Sequence, residues 1–524
     1  MTNLAVASRR VPLRDRLPLA LLLGGGAALA GLRLNDIFSL NGDNAVYLLL
    51  ARNLVTGQPY NNAGFPWGYP LLLTPGAAVA GPGHLLDAIP WLKGLSVLAF
   101  LLSIGLLYAF YRTRHGPALA ALTVALFAVN DVTLSFTNDL MTELPYVAAS
   151  FAALLYWQRR LDRGPAADPR ASTPPGWRPW LVGALLLAVP YYIRTIGLAM
   201  LAAPPLLLAW RRHWRGALAL GAALALLAAP WALFSATTAP NRNYTAALWL
   251  RDPYHPELGR VADASEFLGR FGDRVNLYGT VILPALLLPP QVVPDESTRR
   301  AGGMLLGLVA LAGYARRLRR RIELPEVYLP GFLVILCSWP WTGDRFLLPV
   351  LPLILHYIAE AVSATVAFAG RLVGRPGLAM PALAALALLL VPLAAQDTQT
   401  LAQNLRYRSG DRAASGLTAE DYQYLAVCDW LRDNTPPGSV ILSRKSSITE
   451  VYGGRPSELI PLIPPDQYLA WLTDRRVGYV LEDAFPWSSH TIEYLRPAMQ
   501  QHPTHFHLIF STPPPVFRVW QFTP

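Results

Sequence analysis

The sequence predicts a polytopic α-helical membrane protein of about eleven transmembrane helices, with interfacial helices in its first outside loop and a small C-terminal α/β extracytoplasmic domain. Three observations predict it. Apolar runs recur from residue 17 to about residue 395. The chain is 53% hydrophobic with only 15% charged residues and a mean hydropathy of +0.32. The arginines keep to alternate loops. A soluble core would have to bury 183–189, 216–233 and 383–395 on all sides, which the bilayer does instead.

Spans are expected near 17–34, 90–111, 117–130, 145–158, 179–192, 195–210, 216–234, 301–315, 327–340, 346–370 and 378–395. Arginine clusters at 9–16, 112–114, 159–178, 211–215, 316–321 and 371–375 each follow an even number of crossings. By the positive-inside rule the N-terminus is cytoplasmic and the C-terminus outside, in a multi-pass protein of the plasma (inner) membrane. The stretch 17–31 has the layout of a signal peptide, but the many spans after it favour a retained first helix. Net charge is +11, and of 44 basic residues only Lys93 and Lys445 are lysines. Because this charge flanks membrane spans, nucleic acid is excluded as a partner. Cys337, inside a span, and Cys428, in the tail, form no disulfide framework or cysteine metal site.

The division expected is a transmembrane domain over 1–395 and an extracytoplasmic domain over 396–524. The inside loops are short and basic, and 164–179 is a Pro/Gly/Ala linker. Chemistry therefore belongs to the outside segments, about 35–90, 235–300 and 396–524. The tail reads as a helix over 419–433, a turn at Pro436-Pro437-Gly438 and a strand at 440–443. A helix over 465–472 and strands at 477–481, 506–510 and 516–522 complete it.

In the first loop, GDNAVYLLLARNLVTGQPY predicts a helix Asp43–Thr56 closed by Gly57. Tyr47, Leu50, Ala51 and Leu54 share one face, with Arg52, Asn53 and Thr56 opposite. Asp43 stands at its start, either as an N-cap or as an active carboxylate, and one residue can be both. PWGYPLLLTP reads as a loop in the interfacial belt, carrying Trp67 and Tyr69. Lys93, at the outer end of the second span, either snorkels to headgroups or supplies a cation for a lipid-linked phosphate. In TNDLMTELPY, Asp139 and Glu143 fall at i and i+4 on one helix face. They suit a divalent metal, a division of acid and base roles, or plain solvation. Arg194 in PYYIRTIG and Arg345 in SWPWTGDRFLLPVLPL are outside arginines, and Arg345 is either half of a surface pair with Asp344 or a fork for phosphate.

Together these residues resemble the C-type glycosyltransferase superfamily, in the branch of protein O-mannosyltransferases and the aminoarabinose transferases that modify lipid A. The carriers are Gly42-Asp43 with Tyr47, Ala51-Arg52-Asn53-Leu54 and Gly57, then Trp67-Gly68-Tyr69-Pro70. Asp139-Leu140-Met141-Thr142-Glu143, Arg194 and Asp344-Arg345-Phe346 through Pro349 and Pro352 continue the pattern. The resemblance implies transfer of a hexosyl or pentosyl group from a polyprenyl-phosphate donor to a hydroxyl of a glycan, lipid or protein, by inverting displacement on the outer face. It makes Asp43 the base and Arg345, Arg194 and Lys93 the candidates for the departing phosphate. Asp139 and Glu143 would orient the acceptor or help hold a divalent metal, with Tyr47, Trp67 and Tyr69 as further substrate-binding residues. No cofactor is certain and a divalent metal stays open, because metal dependence differs among relatives and its ligands are not readable. The chain departs from the aminoarabinose branch where that branch carries a lysine beside prolines and this one has Trp67-Gly68-Tyr69-Pro70. A transporter or flippase of a lipid-linked saccharide, or an inactive relative acting as scaffold, are the competing readings.

Overall fold

A computed structural model describes residues 13–81, 83–163, 177–238, 244–253, 255, 258–373 and 379–524. The N-terminal arginines before residue 13 and most of the 164–179 linker lie outside the described residues. The chain divides into two compact units. The first comprises residues up to Leu34, Asn61–Tyr69 and Lys93–Ala402; the second comprises Asn35–Tyr60, Pro70–Leu92 and Gln403–Pro524.

The first unit is helical. Each predicted span coincides with a helix: Leu13–Arg33, Ile89–Arg112, Pro117–Ala128, Glu143–Arg163, Trp177–Ile193, Leu198–Trp210, Trp214–Thr238, Glu296–Arg320, Leu324–Ser338, Leu351–Leu372 and Ala379–Arg408. Among the described residues five stretches are long and apolar enough to cross a bilayer unaided: Asp15–Arg33, Leu85–Arg112, Trp214–Thr238, Asp344–Leu372 and Met380–Arg408. Trp214–Thr238 shows why a bilayer is required. Leu218 and Leu226 on it are 72% and 75% exposed, a stripe that only hydrocarbon can cover. The chain is a multi-pass membrane protein.

Helix extents differ from expectation, most of all at the last helix. The last one continues past residue 395 to Arg408, because its polar turn is satisfied by the first helix and a short helix Asp131–Ser135. Arg33 Nε donates to Asp397 Oδ1 (3.0 Å), and its guanidinium also pairs with Asp131. Thr400 Oγ1 donates to the same Asp131 carboxylate (3.0 Å). In the first loop, Gly68–Ala80 is a helix where a loop was expected. Pro70 sits in its first turn, where no amide donor is needed.

The second unit contains a five-stranded mixed sheet, β1 (Val440–Ser443), β2 (Ser457–Leu459), β3 (Val477–Glu482), β4 (Phe506–Ser511) and β5 (Arg518–Phe522), in the order β2-β1-β3-β5-β4. β1 runs parallel to β2 and β3, and β5 antiparallel to β3 and β4. One face is closed by Tyr468, Leu472, Leu495 and Met499 packed on Leu442, Val480, Phe506 and Phe522. The expected helix after residue 419 and the expected strands are present. Sequence reading missed the helix Ser446–Gly453, whose glycine pair reads as a turn; Gly454, at φ 60°, caps it. Asp43–Thr56 belongs to this unit, with Gly57 in the left-handed cap as predicted.

Candidate active site

In the first unit the polar residues gather where helices begin or end. Lys93 lies in the first turns of Ile89–Arg112 and is 2% exposed, with Nζ donating to Asn138 Oδ1 (2.9 Å). That burial rules out snorkelling. Next to it, Ser96 Oγ donates to the Asp139 carbonyl (2.8 Å), and the Leu140 amide donates to Asp139 Oδ1 (2.8 Å). Asp139 precedes the helix that starts at Glu143, so the two carboxylates do not share a helix face as expected. The reason is Pro145: lacking an N–H, it cannot bond the carbonyl at Met141, and the first helical bond runs from the Tyr146 amide to Thr142 (2.9 Å).

The two acids nonetheless both act on Tyr69. Both raise the pKa of Tyr69, after burial as the main cause, and its phenol stays well above the ordinary range. Glu143 is fully buried and accepts from Arg194 Nη1 (2.6 Å). Its other oxygen, Oε2, is buried with no hydrogen-bond partner among the described residues. Arg194, in the turn after Trp177–Ile193, also lies over the Phe346 ring, 5.6 Å from its centroid. Arg345 lies over the same ring at 4.7 Å. The two arginines singled out from sequence are thus brought to one aromatic side chain. Asp344 accepts from the Arg345 amide (2.7 Å), while the guanidinium turns to the ring.

Trp67 anchors the loop that carries Tyr69. It packs on Tyr192, Trp231 and Phe234 at centroid distances of 6.2, 5.4 and 5.2 Å. Gly68 follows because a Cβ there would meet the Tyr192 carbonyl oxygen at 2.6 Å. Trp67 therefore serves packing. Among the described residues no group of three or more His, Cys, Asp or Glu forms a metal site.

Asp43 is in the second unit. Gly42, at φ 60°, occupies the capping position, so Asp43 is the first helical residue and not the N-cap. Its partial burial at that terminus suits a negative charge in the field of the helix dipole. Tyr47, Leu50 and Ala51 are buried as predicted, but Leu54 is 36% exposed and Asn53 is buried instead. The cause is the tail. Glu450 pairs with Arg52 (2.7 Å), and Arg52 Nη2 donates to Asn53 Oδ1 (3.1 Å), so a polar face is covered by polar partners. Tyr47 is 6% exposed within this helix core. Sequence reading missed Lys445 altogether. Its ammonium lies over Phe485 (4.4 Å) and Trp487 (5.1 Å), and burial lowers its pKa.

Comparison with known proteins places this architecture. Solved structures align over nearly the whole chain. ArnT from Cupriavidus metallidurans bound to undecaprenyl phosphate matches at TM-score 0.55 and 12% identity, covering 96% of this chain and 97% of that one. The chain has the fold of the C-type glycosyltransferases. The archaeal oligosaccharyltransferase AglB from Archaeoglobus fulgidus, in complex with an inhibitory peptide and a dolichol-phosphate, matches this C-type fold at TM-score 0.55 and 14% identity. That alignment covers 98% of this chain and 75% of AglB. No sequence-family model matches, and no curated protein does.

Proposed function

We propose that the protein is a membrane glycosyltransferase that moves a sugar from a polyprenyl-phosphate donor to an acceptor hydroxyl on the outer face of the membrane. The observation that carries this reading is the pair Arg194 and Arg345 on Phe346, beside the Asp139 and Glu143 carboxylates, in a fold whose solved examples include ones bound to undecaprenyl phosphate and dolichol-phosphate. In one displacement the acceptor oxygen attacks the anomeric carbon. The bond to the phosphate oxygen breaks, and that oxygen keeps the electron pair. The acceptor proton passes to the Asp43 carboxylate, and configuration inverts.

A phosphate is a fair leaving group without protonation, so the site needs a base and positive charge. Arg345 and Arg194 are the groups proposed to supply that charge, Arg194 while paired with Glu143. Lys93 holds the turn at Asn138. Glu143 Oε2 and Asp139 are acceptors for hydroxyls of the incoming sugar or acceptor, and Tyr69 faces them. The polar cluster sits at helix ends and not midway along broken spans, which favours a transferase over a transporter.

The test is release of polyprenyl phosphate from a polyprenyl-phosphate sugar by the purified protein in liposomes. Asp43→Asn is expected to lower transfer by roughly 10²–10⁴ with folding intact. A rate equal to wild type would remove Asp43 from the base role.

A further inference from the structure

We propose that the tail is a positioning device for Asp43, with Lys445, Ser447 and Tyr452 as positioning residues that grip the backbone leading into its helix; this rests on Asp43 being the base.

The grip is regular. Tyr452 Oη donates to the Phe38 carbonyl (2.8 Å), Lys445 Nζ to the Leu40 carbonyl (3.3 Å) and Ser447 Oγ to the Gly42 carbonyl (3.3 Å). The three acceptors alternate along the chain, so one wall of the tail meets 38, 40 and 42 in turn. Gly42 completes the arrangement. At φ 60° it turns the chain into the helix, and its carbonyl also receives the Val46 amide (3.0 Å). The orientation of Asp43 is therefore fixed from both sides of Gly42.

The donors are themselves fixed. Lys445 is held over Phe485 and Trp487, with Tyr424 at 5.8 Å. Tyr452 packs its ring on Phe38 (6.1 Å). Ser447 and Tyr452 share a helix whose Ile448 is fully buried, and Thr449 on it donates to Ser443 at the end of β1 (2.7 Å). The Arg52–Glu450 pair ties the same tail helix to the far end of the Asp43 helix. A domain that only shielded a site would not need side-chain donors on three alternate carbonyls immediately before a carboxylate. Misplacing a catalytic group by about 1 Å costs on the order of 10²-fold in rate while leaving binding largely alone.

The full-length protein in liposomes tests this with Lys445→Met, which keeps bulk among the rings but removes the donor, and with the double variant Tyr452→Phe/Ser447→Ala. Transfer from a polyprenyl-phosphate sugar is expected to lose roughly ten- to a hundredfold in kcat, with donor KM within about twofold. Lys445→Arg, which can donate and stack, is expected to recover most of the rate. Amide hydrogen exchange over 38–46 is expected to accelerate in the two damaged variants and not in Lys445→Arg. Unchanged exchange, or accelerated exchange with kcat unchanged while Asp43→Asn is inactive, would overturn the positioning role. If Asp43→Asn proves fully active, the base reading fails by itself, and exchange still decides whether the grip exists.

Discussion

The two sides of the helical unit use charge differently. On the arginine-rich side five arginines meet acids: Arg112 pairs with Asp15 (2.9 Å), Arg114 and Arg317 share Glu323 (2.8 and 3.0 Å), and Arg316 and Arg320 share Glu360 (both 3.3 Å). On the opposite side Arg194 and Arg345 converge on a ring, Arg194 pairs with Glu143 (2.6 Å), and the other Glu143 oxygen has no hydrogen bond among the described residues. The first pattern ties helices together through ion pairs; the second gathers two arginines and an acid around one ring.

The largest effect expected within this contrast is at Arg194. Arg194→Ala strands the fully buried Glu143, a loss of about 3–5 kcal/mol that should appear as a large fall in thermal stability together with loss of transfer. Combining it with Glu143→Gln should restore stability but not activity. Recovery of activity as well would place the pair outside the chemistry. Next is Arg345→Ala, expected to weaken donor binding roughly 10- to 100-fold with little change in melting temperature. Unaltered donor affinity would erase the contrast. Arg317→Ala, on the arginine-rich side, should do the reverse, lowering stability with kcat and KM preserved.

How much of this was legible follows from the kind of signal each part carries. Helix positions were readable because lipid burial writes long apolar runs, and the tail strands because they alternate between turn residues. Arg194 and Arg345 were readable as exceptions to a charge rule. Their meeting at Phe346 was not, since 151 positions separate them and no local pattern encodes it. Asp139 and Glu143 misled by spacing, because Pro145 starts the helix later than the i, i+4 pattern implies. Lys93 drew notice as one of two lysines, and no local pattern announces its burial against Asn138. Lys445, equally rare, was passed over because its partner carbonyl at Leu40 lies 405 residues away.

The smallest expected effect also lies on the arginine-rich side. His115 contacts His356 (3.0 Å), and burial lowers its pKa from 6.5 to about 4. Because the folded-state value is the lower one, the stabilisation is complete above about 6.5 and is lost as pH falls toward 4. Melting temperature should therefore drop across that window, and less steeply in His115→Gln. An identical slope in both proteins would show that the histidine is not responsible.

The most direct measurement is mass spectrometry of lipids that co-purify with the protein, wild type beside Asp43→Asn. A polyprenyl-phosphate sugar enriched on the Asn variant is the predicted result, because a donor that binds but cannot be discharged accumulates. Bulk phospholipid alone on both proteins would contradict a transferase that uses a lipid-linked donor.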